Sequence, residues 1–403
     1  MSQQVVYRES VATGVATPTV APRIGLARSK RRIVMIQTRA EGAGAQEISR
    51  ILEHGFTARG YEVHHIFLFR RTAAFDNEPN AVFCALRRPT RIADLAGMFS
   101  ALVGHLRNIQ PDAVLCFEHY GNIIGALAAR ISGVKTIIAN RTSAKILEPR
   151  LTRWIDFAFG MAGMFNKIVV NSKGIEDEYR FYPRPYQKRV QRIEHGFESK
   201  ICNLSQSAAR REFSLPDDVV LLGSVARLHS LKNLDAAIRL LAINSEWHLA
   251  LAGQGPARMP LERLAKLLGV RDRLHFVGEL SPARVAVFLR MLDVFVFPSQ
   301  AESFGIAAVE AAQAGVPVVA NDLSVLREVL AVDDLPCVLF VDAADPERFA
   351  TAVQRLIDDV ELKATLSSRA RELSRRYSPE AMVASYVELI ESIAARFTAS
   401  SQR

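Results

Sequence analysis

Short, continuous apolar runs alternating with amphipathic helical patterns constrain this chain more than any other feature. In the first half the runs are Ile33–Gln37, Glu62–Phe69, Ala81–Leu86, Ala113–Phe117, Lys135–Ala139, Lys167–Asn171 and Val190–Glu194. In the second half they are Val219–Val225, Trp247–Ala252, Leu274–Val277, Asp293–Phe297, Val316–Ala320 and Val338–Val341. Their Val, Ile and Leu character is continuous rather than alternating, the pattern of parallel strands covered on both faces. Two successive strand–helix series predict an α/β chain of two doubly wound, Rossmann-like domains, with ligands at the carboxyl ends of the strands. The pattern is weakest near residues 199–216, where the junction is expected. The expected division is a flexible tail (residues 1–29), a first domain (30–200), a second domain (201–377) and a terminal helix (378–403). That helix pattern, Pro379–Phe397, carries Met382, Val383, Tyr386, Val387, Ile390 and Phe397 at helical spacing. With no strand after it, it must bury this stripe against another part of the fold.

A chain of 403 residues is long enough for two cores, and 49% hydrophobic with 23% charged is a globular composition. No apolar run reaches the roughly 18 residues that would span a bilayer. Met1–Ser29 has no continuous apolar segment, so it is read as a tail rather than a signal peptide. Cys84, Cys116, Cys202 and Cys337 show no paired spacing, which predicts reduced thiols of a cytoplasmic protein and neither zinc nor disulfides. Charge is divided unevenly: residues 1–200 hold 29 Lys and Arg against 17 Asp and Glu, and residues 201–403 hold 22 against 25. A basic first half suits nucleic acid, an anionic membrane surface or a phosphorylated acceptor, although solubility alone would also account for it.

The stretch Asp293–Ala320 carries the densest chemistry. A buried strand runs into the polar turn Ser299–Gly305, then a helix with Ile306, Val309 and Ala312 on one side, then Gly315 and Pro317 as a stop. Glu302 sits in the turn and Glu310 inside the helix. The amides of Phe304, Gly305 and Ile306 open the helix, an anion site between two hydroxyl-binding acids. Decoration of a helix dipole and a solvated face would explain the same two glutamates. Val225–Asn233 places Arg227 and Lys232 at a strand end before a helix, a fork and a point charge fit for a diphosphate, or else two solvated cations. The first βα turn offers Gly42 and Gly44, but Glu47 stands where a dinucleotide fingerprint needs its third glycine. Gly253-Gln-Gly255-Pro256 is a comparably weak turn. His119, in Cys116–Gly121, is a candidate acid or base or a structural loop histidine, and Arg141 follows the next strand. Tyr179–Arg189 interleaves bases with aromatics, which could stack nucleobases or suit a membrane interface, whereas Trp154–Phe165 reads as core packing. No acidic pair is spaced to hold a divalent metal.

In order along the chain, Asn171–Ser172, His195-Gly196-Phe197-Glu198, Arg227 with Lys232, Gly253-Gln-Gly255-Pro256, Phe276-Val-Gly278 and Glu302-x7-Glu310 resemble the retaining glycosyltransferases of the GT-B fold, group one. The resemblance covers the chain from Arg31 onward. It implies a nucleotide-diphosphate sugar in a cleft between the domains. Arg227 and Lys232 would neutralise the diphosphate, and Glu302 would hold sugar hydroxyls with the amides of Ser303, Phe304 and Gly305. Glu310 would hold the ribose, Val277 and Gly278 would line the base, and Gly42 and Gly44 would close on the phosphates. It further implies no cofactor, no metal, transfer with retention, and a terminal helix returning to the first domain. Where the family often has a histidine, this chain has Arg141, which cannot act as a base but could bind a phosphate; His119 is not clearly its substitute.

The expected activity is therefore transfer of a sugar to an acidic or lipid-linked glycan acceptor, in cell-surface polysaccharide or glycolipid synthesis. The expected location is cytoplasmic, peripheral on an anionic membrane surface, with nucleic acid not expected as a partner. Two alternatives stand beside it: a nucleotide- or NAD-binding Rossmann protein, with Glu62 20 residues after Gly42 as the ribose acid, and a catalytically silent GT-B binding protein.

Overall fold

Seven parallel strands form the first sheet: β1 (Arg32–Ala40), β2 (Glu62–Arg70), β3 (Ala81–Phe83), β4 (Ala113–Phe117), β5 (Thr136–Arg141), β6 (Lys167–Val170) and β7 (Val190–Arg192). Their spatial order is β3-β2-β1-β4-β5-β6-β7. Six parallel strands form the second: β8 (Val220–Val225), β9 (Trp247–Ala252), β10 (Leu274–Gly278), β11 (Val294–Phe297), β12 (Val318–Asn321) and, at its edge, β15 (Leu339–Val341). They run β10-β9-β8-β11-β12-β15. This is a computed structural model that describes residues 30–40, 44–72, 75–141 and 150–401, with side chains through Phe397. Met1–Ser29 and Gly42, for which expectations were stated, lie outside the described residues. Residues 31–403 form one compact unit.

The helices of the first series are α1 (Gly44–Ala58), α2 (Ile92–Ile109), α3 (His119–Ile131), α4 (Arg150–Ala162), α5 (Lys173–Asp177) and α6 (Arg184–Gln187). Those of the second are α7 (Gln206–Glu212), α8 (Leu234–Ile243), α9 (Arg258–Leu267), α10 (Pro282–Arg290), α11 (Ile306–Gln313), α12 (Ser324–Val329), α13 (Pro346–Asp358) and α14 (Val360–Arg376). The chain closes with α15 (Pro379–Ser401). Burial explains the strands: every residue of β4, β5 and β11 is buried, so helices cover both faces of each sheet. α2, α3, α4 and α6 pack successively on one face of the first sheet, while α1 packs with α15. That division follows from right-handed crossovers, because β1→β2 steps one way across the sheet and β3→β4→β5→β6→β7 steps the other.

On α15, Met382, Val383, Tyr386 and Ile390 are buried, with Val387 and Phe397 packed against the same core. Polar groups set its register. The Tyr386 hydroxyl donates to Asn140 Oδ1 at 2.5 Å, and Glu391 Oε1 accepts from Arg31 Nη1 at 2.5 Å and from the Tyr61 hydroxyl at 2.7 Å. Asn140 is the centre of a buried network: its Nδ2 donates to Cys116 O, and it exchanges bonds with Asn122.

Three local features differ from expectation. Within Tyr179–Arg189 the aromatics divide: Tyr179 and Tyr186 are buried and stacked at 5.5 Å between centroids, so these two offer no platform for bases, whereas Phe181 is exposed beneath Arg180. Trp154, expected inside, is exposed. A short antiparallel ladder, β13 (Ala331–Val332) with β14 (Leu335–Pro336), had no apolar signal. It depends on Asp333 and Asp334, both left-handed (φ +50° and +61°), as a two-residue hairpin turn of this hand requires.

Candidate active site

In a doubly wound sheet the cleft lies where strand order reverses, outside the carboxyl ends. In the second sheet that point is between β8 and β11. The segment after β8 contains Arg227 and then a single 3-10 turn, Ser230–Lys232, whose first amides are capped by His229: Leu231 N donates to its Nδ1 at 3.3 Å. Lys232 thus ends this turn rather than opening α8, and left-handed Asn233 (φ +50°) redirects the chain into the helix. The loop after β11 is tied to the same turn, with Gln300 N donating to Leu231 O at 2.9 Å. The two loops bring Lys232 Nζ to 2.5 Å from Glu302 Oε1. Gly305 then starts α11 at φ +88°, where a side chain would be strained and a Cβ would lie 2.5 Å from Leu326 Cδ2. Intrahelical bonding begins with Ala308 N to Gly305 O, so the preceding amides point out of the helix mouth.

Glu310, one turn further on, does not face open solvent. Lys200 Nζ lies 3.4 Å from Glu310 Oε1 and 3.3 Å from Glu47 Oε1 of α1, and Lys200 and Glu310 are 7% and 8% exposed. Burial pushes the Glu310 carboxyl up to about 7; the attraction of Lys200 is too small to reverse this, and the charge of Glu47 adds to it. Burial opposes the charge on Lys200, yet the two carboxylates together hold its ammonium above the ordinary lysine range. One cation therefore bridges the two domains between two acids. Gly44, at the start of α1, comes so close to α11 that a Cβ would sit 2.7 Å from Ile306 Cδ1.

In the first sheet the order reverses between β1 and β4. Glu118, just past β4, has φ +60° and ψ +159°, a strained conformation for a non-glycine residue. It is held by Thr38 N, which donates to Oε2 at 3.1 Å, and by Arg39 Nη2 at 3.5 Å from Oε1. His119 follows as the first residue of α3. Burial lowers its pKa first, and the charges of Arg141 and Arg39 lower it further, which favours the neutral imidazole. His229 is lowered in the same sense, by burial and then by Arg227, Lys232, Arg39 and Arg71. Two cations from each domain thus act on one histidine across the cleft.

The remaining expected residues divide. Val277 and Gly278 lie at the carboxyl end of β10, with Gly278 O accepting from Gly253 N at 2.7 Å. Ser303 O accepts from Ser172 Oγ at 3.3 Å, which ties the loop to the first domain. The ring of Phe304 is buried among His195, Phe197 and Tyr377 at 5.2–5.4 Å, so only its backbone is placed for a ligand. His195 is itself buried, its pKa pushed down to about 3 by burial, with Asn171 Nδ2 2.9 Å from its Nε2. Arg141 requires correction. Its guanidinium is 2% exposed and paired with Asp156 of α4, which also accepts from the Tyr186 hydroxyl at 2.7 Å, so its charge is met inside the first domain instead of being presented to a phosphate. Lys200, Glu118, Arg39 and His229 were missed. His229 stands inside a stretch already singled out, and Glu118 next to His119; Lys200 has no local signal, because both its partners are distant in sequence.

Residues 205–373 match the family described as glycosyl transferases group 1. The O-antigen biosynthesis glycosyltransferase WclY of Escherichia coli is 30% identical over 177 residues, 44% of this chain and 48% of that protein. The D-inositol 3-phosphate glycosyltransferase of Acidothermus cellulolyticus is 34% identical over 230 residues, 53% of this chain and 51% of that protein. The chain thus spans about half the length of the curated relatives it matches. In fold it is similar to Anabaena Alr3699/HepE in complex with UDP and glucose, with a TM-score of 0.77 over 90% of this chain and 100% of that one at 16% identity. Two Rossmann-like parallel sheets with this structural likeness give the chain the GT-B fold, and within it residues 205–373 are similar to the group 1 glycosyl transferases.

Proposed function

We propose that this protein transfers a sugar from a nucleotide-diphosphate sugar, held on the second domain, to a glycan or lipid-linked acceptor presented by the first. The observation that carries the proposal is the Lys232–Glu302 pair at the switch point of the second sheet. A cation and a hydroxyl-binding acid stand together at a helix mouth, with Arg227 acting on the same histidine as Lys232. A diphosphate entering here meets Arg227, Lys232 and the amides before Ala308, and these favour the charge that grows on it as the sugar leaves. Glu302, already ion-paired, serves to orient sugar hydroxyls and not as a nucleophile, which is consistent with a retaining reaction assisted by the leaving phosphate. Protein cations take the place of a metal ion in this scheme. Similarity to an O-antigen biosynthesis glycosyltransferase and a D-inositol 3-phosphate glycosyltransferase supports a role in surface glycan or glycolipid assembly.

The test is a mass-spectrometric assay of transfer and hydrolysis across UDP-, GDP- and ADP-sugars in the presence of EDTA, with the product anomer read by NMR. Glu302→Ala and Lys232→Ala should remain folded and lose at least about a hundredfold in rate. Full transfer by both variants, or a thermal shift with NAD and none with any nucleotide sugar, would sink the proposal.

A further inference from the structure

The carboxyl edge of the first sheet carries a feature that sugar transfer does not use. Leu86, in the loop after β3, Ile92 at the start of α2, and Leu151 and Trp154 in the first turn of α4 are each between 70 and 89% exposed. Tyr120, in the first turn of α3, is also exposed. In a parallel sheet each helix starts above the strand before it, so these residues share one edge. α2, α3 and α4 are neighbours in one layer, which makes the row roughly 20 Å long, two helix spacings.

Arginines are interleaved with these side chains. Arg87, Arg88, Arg91 and Arg150 are exposed and Arg153 is partly so; between Leu86 and the first turn of α2 they face one acid, Asp94, whose carboxylate caps α2 by accepting from Arg91 N at 3.3 Å. The placement is unfavourable for the isolated protein. Arg91 precedes α2, and Arg150 and Arg153 lie in the first turn of α4, which contains no acid, so three cations oppose helix dipoles. An anionic surface would reverse the sign of that interaction.

We propose that this rim seats the protein on an anionic lipid bilayer. Leu86, Ile92, Leu151 and Trp154 would enter the headgroup region, with the arginines on the lipid phosphates. The chemistry favours lipid over the alternatives. Aliphatic Leu and Ile cannot stack on bases, which disfavours single-stranded nucleic acid, whereas a Trp among aliphatics and arginines is an interfacial composition. The rim lies on the edge that also holds Glu118 and His119, so a seated bilayer would run beside the mouth of the cleft. No helix among the described residues is long and apolar enough to cross a membrane, so attachment would be peripheral. The proposal does not depend on the transfer reaction, and binding is measured without turnover.

The chain has two tryptophans, and Trp247 is buried, so Trp154 reports on the rim. The full chain, with Trp247→Phe as background, is mixed with vesicles of phosphatidylcholine alone or with phosphatidylglycerol. Flotation with the anionic vesicles, reduced by added salt, and a blue shift of Trp154 emission are expected. Combined Arg87→Glu, Arg88→Glu and Arg91→Glu should weaken binding on the order of a hundredfold at about 1 kcal/mol per basic residue. Leu151→Ser with Trp154→Ser should weaken flotation at an unchanged thermal midpoint. Absence of flotation, equal binding to neutral vesicles, equal binding by the folded variants, or a Trp154 shift with an oligonucleotide and none with vesicles would overturn the proposal.

Discussion

Lys200 lies between carboxylates from opposite domains, so its surroundings decide how the cleft responds to pH. Glu310 has its carboxyl raised from 4.5 to about 7 in the folded chain. A raised carboxyl pKa means that the folded state binds the proton more tightly than the unfolded state. Its contribution to stability is therefore complete below about pH 4.5 and is lost as pH rises through about 7. The full shift corresponds to roughly 3 kcal/mol. Glu310→Gln has no such proton to lose. In urea unfolding followed between pH 5 and 8, the wild type should lose stability relative to Glu310→Gln as pH rises; parallel curves would show that Lys200 keeps Glu310 ionised throughout. The residue-level chemistry was only half legible beforehand. Glu302 and Glu310 were found by their spacing, but a buried cation that meets one acid 153 positions earlier leaves no local pattern. The same limit explains Arg141, whose place at a strand's end was evident while its partner Asp156, on α4, was not.

At the level of elements, α15 is the clearest case of one segment completing another. Its stripe was readable from spacing alone because a buried helical face must recur at three and four residues. Its polar register was not, since Tyr386 and Asn140 are 246 positions apart. Tyr386→Phe keeps the ring and removes the donor to Asn140 Oδ1, so the chain should lose about 1–2 kcal/mol of stability, seen as a lower urea midpoint with unchanged slope. Strands were legible wherever apolar runs were continuous. The hairpin β13–β14 was not, because its cause is the left-handed backbone of Asp333 and Asp334 and not hydrophobicity.

Across the whole molecule, the topology locates the cleft before any side chain does: both sheets reverse order, at β1/β4 and at β8/β11, and the charged residues gather at those two points. That arrangement followed from two strand–helix series, which is why the fold could be read early. How the halves hold each other could not, since it depends on contacts such as Lys200 with Glu47, Ser172 with Ser303, and Lys173 and Gly174 amides with the Glu328 carboxylate at 2.6 and 2.9 Å.

The path of the chain has a consequence for how it can be divided. It leaves the first domain once, and α15 packs back against α1 and β5. A cut near residue 200 therefore does not yield two self-sufficient pieces. Residues 31–200 would carry an uncovered apolar seat along α1 and an Asn140 deprived of its tyrosine. Expressed alone, that fragment should be recovered in the insoluble fraction. Co-expressed with residues 201–403, which bring the missing helix in trans, it should become soluble and co-purify. Good solubility of the lone fragment would mean that the seat closes over by itself. The first domain is thus assembled from segments on either side of the second in sequence, and during synthesis it cannot be completed until α15 has been made.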